Sequence, residues 1–272
     1  MTDKADLSKV ALVTGATSGL GLAIAEGLAK AGYRVFGTGR SWRGAARGFT
    51  YIPMDLLDLA SIRAAVEVVV ETASRLDILV ACAGMGTSGS VEEMNQDDAM
   101  AQINTNFMGT AMTVKAVLPW MRKQENGKII VVSSIAGRMG MPFQAYYAAS
   151  KFALEGFCES LRFEVRGFGI QVCLLEPGDF ATGFTVARKK FLDPKSPYKD
   201  LFSHVLCKQE NDEMHGSNPS LAAKEVLRLV RRRALPVRKS VGPLIQRIAA
   251  VLKGLIPGSL FEKLYNLYYG IK

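Results

Sequence analysis

An α/β fold, a doubly wound parallel sheet in one domain, is predicted by three observations. Short apolar runs alternate with stretches of helical spacing along residues 10–175. The runs are apolar at nearly every position, not at every second one, so both faces of the sheet are covered. The first run ends in a glycine-rich turn that opens a helix, and right-handed crossovers build such units into a doubly wound sheet.

Each element follows from the residues. Val10-Ala11-Leu12-Val13 is the first strand. Helical spacing over 20–31 gives the first helix, with Gly32 as its stop signal. Strands follow at 34–38 and 51–54, then a helix over 61–74 and a strand at 78–81. A long helix is expected over 97–123, a strand at 128–133, a helix over 147–166 and a sixth strand at 170–175. Residues 183–218 break the rhythm with Pro194, Pro197 and several polar residues. They are expected to form a mobile, irregular substrate loop, followed by a helix over 220–233. The expected division is a catalytic domain over 1–235, including that loop, and a C-terminal extension over 236–272.

Composition narrows the function. With 49% hydrophobic and 22% charged residues in 272, disorder, collagen and coiled coil are excluded. Residues 1–220 hold 23 basic and 23 acidic side chains, whereas 221–272 hold 11 and 2. The body therefore has no bias towards polyanions, and nucleic-acid binding is not expected. The extension shows helical apolar spacing over 243–252 and 259–269, interleaved with basic residues. Two readings of it stay open: packing on the body or on a second subunit, or contact of 240–272 with a membrane surface. Cys82, Cys158, Cys173 and Cys207 form no CxxC pair, and only His204 and His215 accompany them, so no metal site is expected. The charged N-terminus lacks a signal-peptide pattern and no 18-residue apolar run occurs. A cytoplasmic setting, with peripheral membrane contact as its variant, is the expectation.

Three motifs carry chemistry. Thr14-Gly15-Ala16-Thr17-Ser18-Gly19-Leu20-Gly21 joins the first strand to the first helix. Gly15 permits the tight turn, Gly19 lets backbone approach a pyrophosphate, and Gly21 lets helix pack on sheet. With Thr17, Ser18 and Leu20 they form a candidate cradle at a helix N-terminus, where free N–H groups favour an anion. Tyr147 and Lys151 stand four apart on a helix and so share a face. A nearby cation favours the phenolate, which makes Tyr147 a candidate general acid or base. Ser134 ends the fifth strand, 13 residues before Tyr147, where sites form at the carboxyl ends of strands.

The GxxxGxG spacing, the serine and the YxxxK pair resemble the short-chain dehydrogenase/reductase family, with motifs in family order over residues 10–182. The resemblance implies a Rossmann-type sheet, a nicotinamide cofactor and no metal. It makes Asn106, in Asn104-Thr105-Asn106, the residue that holds a proton-relay water, completing a tetrad with Ser134, Tyr147 and Lys151. It also implies that Asp55 and Leu56 line the adenine, that Lys151 grips the nicotinamide ribose, and that Pro177, Gly178, Phe180 and Thr182 contact the nicotinamide. One departure is visible: relatives often read Asn-Asn-Ala-Gly where this chain has Ala81-Cys82-Ala83-Gly84. Backbone contacts of Cys82, Ala83 and Gly84 with the cofactor survive that change, and amide side-chain contacts do not.

The end of the second strand chooses between the two nicotinamide cofactors. No carboxylate lies between Glu26 and Asp55 to take a ribose 2′-hydroxyl. Arg40 stands there instead, with Arg43 and Arg47 near in sequence, and suits a 2′-phosphate. NADP(H) is therefore expected over NAD(H). The expected reaction is hydride transfer to or from a carbonyl or secondary alcohol. The apolar residues of 183–218 suggest a steroid-, retinoid- or keto-lipid-like substrate. A non-redox enzyme of the same fold and a cofactor-binding scaffold are the alternatives. Relatives commonly form homodimers or homotetramers through the two long helices, and the resemblance implies the same here.

Overall fold

The computed structural model describes residues 9–42, 44 and 48–271. Arg43 and Arg47 lie outside the described residues.

The elements run β1 (Val10–Thr14), α1 (Gly19–Lys30), β2 (Arg34–Gly39), β3 (Thr50–Pro53), α2 (Leu59–Ala73), β4 (Ile78–Ala81), β5 (Thr87–Gly89), α3 (Gln96–Ile103) and α4 (Gly109–Lys123). They continue with β6 (Gly127–Val132), α5 (Ala145–Val165), β7 (Ile170–Pro177), α6 (Phe184–Ala187), β8 (Lys189–Phe191) and α7 (Lys199–Met214). The last are α8 (Pro219–Arg231), β9 (Arg238–Val241), α9 (Leu244–Leu252) and α10 (Gly258–Tyr269). Seven strands form one parallel sheet in the order β3-β2-β1-β4-β6-β7-β9. The order reverses direction between β1 and β4, and such a switch point opens a crevice at the strand ends.

Strand alternation builds a core on each face. Val10, Leu12 and Phe36 point to one side, where Val114, Val117, Leu154 and Cys158 of α4 and α5 meet them. Ala11, Val13 and Val35 point to the other, against Ile24 and Leu28 of α1 and Val226 and Leu229 of α8. The continuous apolar runs are thus the sequence's record of a sheet buried on both faces.

Three features depart from expectation. Residues 183–218 are not an irregular loop: they hold α6, β8 and the 16-residue α7. Pro194 and Pro197 precede α7 and so do not break it, while Phe202, Val205 and Gln209 supply its buried face. The seventh strand, β9, had no apolar run to announce it, because Arg238 and Lys239 begin it. Arg238 is held instead by ion pairs with Glu155, Glu159 and Glu176. The helix expected over 97–123 is interrupted by a π-helical turn, Asn104–Met108.

Candidate active site

The glycine-rich turn is built from contacts that leave no room for side chains. Gly15 and Gly19 have φ of +69° and +53°, a region that favours glycine. A Cβ on Gly21 would collide with the Gly15 carbonyl oxygen. Ser18 caps α1 without a side-chain hydrogen bond, so the first N–H groups of the helix are left to an outside acceptor. This cradle fits a dinucleotide pyrophosphate.

Neighbouring segments close on the turn. Thr14 Oγ1 accepts from the backbone N–H groups of Cys82 and Ala83, both at 3.0 Å. A Cβ on Gly15 would meet Ala83 Cα at 2.8 Å, and one on Gly19 would meet Thr182 at 3.6 Å. A Cβ on Gly84 would lie 3.2 Å from Asn106 Oδ1 and 3.9 Å from Lys151 Nζ. The 82–84 strand end therefore links the phosphate cradle to the tetrad. Burial pushes the Cys82 thiol up to about 12, so it is no reactive thiolate at neutral pH. At the end of β2, Thr17 packs over Gly39, and Arg40 stands exposed beside them.

The four tetrad residues come from β6, α5 and the π turn. Ser134 caps a short 3₁₀ turn, accepting from Ala136 N–H at 3.1 Å and donating to Pro177 O at 3.4 Å. Its hydroxyl also acts on the Tyr147 phenol and favours the phenolate. The π turn aims Asn106 inward: its Oδ1 accepts from Met85 N–H at 2.8 Å, and its Nδ2 donates to Met85 O and Ser150 Oγ. Lys151 Nζ donates to Val132 O at 3.0 Å and lies 5.7 Å from the Tyr147 ring centroid.

The electrostatics differ from the simple picture of a lysine-acidified phenol. Burial pushes Tyr147 up to about 12, and the charges that act on it are Arg188, Glu213 and Asp179. Burial brings Lys151 down to about 8. Both shifts have one physical cause: charge is disfavoured in a dry site.

Three further residues expected to contact the cofactor also have partners within the protein. Phe180 is buried in the core face that holds Val241. The Asp55 carboxylate accepts from Leu57 N–H at 2.9 Å, within its own turn. Leu56 packs against the backbone at Gly109. Among the described residues no group of three or more His, Cys, Asp or Glu is placed to hold a metal ion.

Sequence reasoning missed Arg188, Glu213 and Gln246. Arg188 and Glu213 form an ion pair across 25 residues, and Gln246 grips Asp179 across 67. None is marked by residue type or spacing, because only the fold brings them together.

Comparison with known proteins agrees with this geometry. A family model for short chain dehydrogenases matches residues 9–193. The chain is 39% identical over 266 residues to 3-ketodihydrosphingosine reductase of Bacteroides thetaiotaomicron, covering 97% of this chain and 99% of that one. It is 38% identical over 192 residues to 17-beta-hydroxysteroid dehydrogenase type 1 of Homo sapiens, covering 64% and 58%. A short-chain dehydrogenase structure from Streptomyces avermitilis superposes with a TM-score of 0.78 at 27% identity, covering 97% and 98%.

Proposed function

The chain belongs to the short-chain dehydrogenase family, and on that premise we propose that it is an NADP(H)-dependent oxidoreductase acting on a carbonyl or secondary alcohol of an apolar, keto-lipid-like substrate. The observation that carries the reading is that Tyr147 and Lys151 share one face of α5, the ammonium 5.7 Å from the ring centroid, with the Ser134 hydroxyl acting on the phenol. The name of the near full-length Bacteroides relative favours a keto-lipid. Arg40, with no acid near it on β2, supports NADP(H).

When bound, the coenzyme supplies the hydride. Gly15, Gly19 and Gly21 would give the pyrophosphate close backbone approach. Ser134 orients the substrate oxygen by hydrogen bonding. Tyr147 donates its proton to that oxygen in reduction and takes it back in oxidation. With the phenol near 12, its protonated form prevails at neutral pH, which suits a proton donor. Lys151, protonated below about 8, holds positive charge beside the ring and would hold the nicotinamide ribose. Asn106 fixes the Met85 backbone and serves the proton relay.

The test is NADPH oxidation by the purified protein across long-chain keto-lipids, ketosteroids and simple aldehydes, with NADH as control. Turnover of keto-lipids with NADPH is expected. Substrate conversion without coenzyme consumption would replace this reading with dehydration or isomerisation.

Two associations belong to the same proposal. Phe163, 82% exposed on α5, supports subunit contact through α4 and α5. The C-terminal extension is assigned to an anionic membrane surface. Its inner face packs on the body through Ala250, which meets Ile135 and Met139 beside Ser134. Its outer face leaves Leu244, Ile245, Val251, Leu255, Leu264 and Leu267 more than half exposed. Residues 236–272 carry 6 basic and 1 acidic side chains, so a second copy would bring like charge and an anionic bilayer the opposite. No helix among the described residues is long and apolar enough to cross a membrane.

A further inference from the structure

Tyr147 lies beneath a charged group that proton transfer does not require. Arg188, between α6 and β8, has a side chain only 1% exposed and pairs with Glu213 of α7. The other Glu213 oxygen accepts from Thr185 Oγ1 at 2.6 Å. The guanidinium sits 5.8 Å from the Phe184 ring centroid, and that ring is 5.9 Å from the ring of Tyr147. Arg188 Nε and Nη1 are buried and have no hydrogen-bond partner among the described residues. An unmet buried donor is costly unless a ligand meets it.

A carboxylate stands beside this arginine. Asp179 follows β7, and its backbone N–H donates to Gln246 Oε1 at 2.8 Å. The Gln246 amide donates back to Asp179 Oδ2. Burial raises the Asp179 carboxyl to about 6, opposed by the Gln246 bond, so it is mostly ionised at neutral pH. The charges around it are otherwise matched. Glu213 is paired with Arg188, and Asp212 lies 3.7 Å from Lys208 and accepts from Tyr268 Oη at 2.6 Å. From α10, Tyr265, Tyr268 and Tyr269 also face this charge. Asp179 is thus a desolvated carboxylate with an amide for its direct partner and no ion pair among the described residues, since the cation that acts on it, Arg188, is paired with Glu213. The group Asp179, Glu213 and Arg188 carries a net charge of minus one, and it acts on Tyr147. Such a charge is strongly favoured by a matching cation.

We propose that this group selects the polar end of the substrate: Asp179 takes a primary ammonium and the unmet N–H groups of Arg188 take a hydroxyl oxygen, so that the substrate is a long-chain ketone flanked by an amine and a hydroxyl. The proposal rests on the reading of the reaction as keto-lipid reduction. It adds which residues read the head group, whose amine and hydroxyl the substrate named for the Bacteroides relative also carries. Gln246 acts as a positioning residue, because it holds both the backbone and the carboxylate of Asp179. Phe184 supplies an apolar wall between Arg188 and Tyr147.

The experiment compares two substrates with the full chain and NADPH: 3-ketodihydrosphingosine and octadecan-3-one, which lacks the amine and the hydroxyl. The wild type is expected to favour the aminoketone at least tenfold in kcat/KM, chiefly through KM. Asp179→Asn is expected to lower kcat/KM for the aminoketone at least tenfold more than for the plain ketone. Equal use of both ketones by the wild type, or a parallel loss in Asp179→Asn, overturns the head-group assignment while leaving keto-lipid reduction intact. Turnover of neither ketone overturns the reaction reading and this assignment with it. Inhibition of the wild type gives a readout independent of how the variant folds. 2-Aminooctadecan-1-ol is expected to inhibit at least tenfold more tightly than octadecane-1,2-diol, and equal inhibition counts against an ammonium subsite.

Discussion

The ammonium of Lys151 donates to the Val132 carbonyl at 3.0 Å and lies 5.7 Å from the ring centroid of Tyr147. The i, i+4 spacing on α5 places the two on one helix face, and the carbonyl at the end of β6 anchors the lysine. Tyr147 therefore faces the site with the Ser134 hydroxyl acting on its phenol and a cation behind its ring. Tyr147→Phe removes the proposed proton donor and keeps the ring. Turnover should fall by about 100- to 10,000-fold, while NADPH affinity, measured by fluorescence titration, changes little. Near-normal turnover would remove Tyr147 from the mechanism.

The same lysine is held at a cost to the fold. Burial lowers its pKa from 10.5 to about 8. Between these values the unfolded chain binds a proton that the folded chain lacks, so the lysine's contribution to stability rises with pH across that window. Below about pH 8 the folded protein carries a desolvated ammonium. Lys151→Met should therefore raise the melting temperature at pH 7 by about 2–4 °C, with the gain shrinking towards pH 10, while activity is lost. Thermal melts across pH check the sign. A variant destabilised equally at both pH values would mean that the Val132 hydrogen bond outweighs the burial of charge.

In the proposed reading, cofactor choice turns on one exposed side chain. Arg40 follows Gly39, over which Thr17 of the phosphate cradle packs. A guanidinium–phosphate contact of this kind contributes about 1.5–3 kcal/mol. Arg40→Glu should raise KM for NADPH about 10- to 100-fold and leave NADH unaffected or improved. An unchanged NADPH/NADH ratio would assign the 2′-phosphate to another group.

Legibility followed the range of the interactions. β1, β4, β6 and β7 were readable because strands buried on both faces are apolar at successive positions. β9 was not, since Arg238 is stabilised by glutamates that lie far away in sequence. α7 reads as a loop because its sequence, KDLFSHVLCKQENDEM, is polar except at a few buried positions. In the site, Ser134, Tyr147 and Lys151 carry their chemistry in local spacing. Arg188, Glu213, Asp179 and Gln246 are ordinary residues until the crossovers bring α7 and α9 over the end of β7.

The outer face of α9 and α10 gives the last prediction. Fully burying one large aliphatic side chain contributes about 1.5–3 kcal/mol, and Ile245 and Leu267 are 76% and 80% exposed in the protein alone. A bilayer would cover both, and Lys263 would meet anionic head groups at its surface. The full chain should float with vesicles of mixed anionic and zwitterionic lipid, float less with zwitterionic lipid alone, and be released as salt is raised. Ile245→Glu with Leu267→Glu should weaken flotation about tenfold or more without moving Gln246 or Ala250, which face the body. If the double variant instead changes the oligomeric state in light scattering and flotation is unaffected, the face is a subunit contact and the membrane assignment falls.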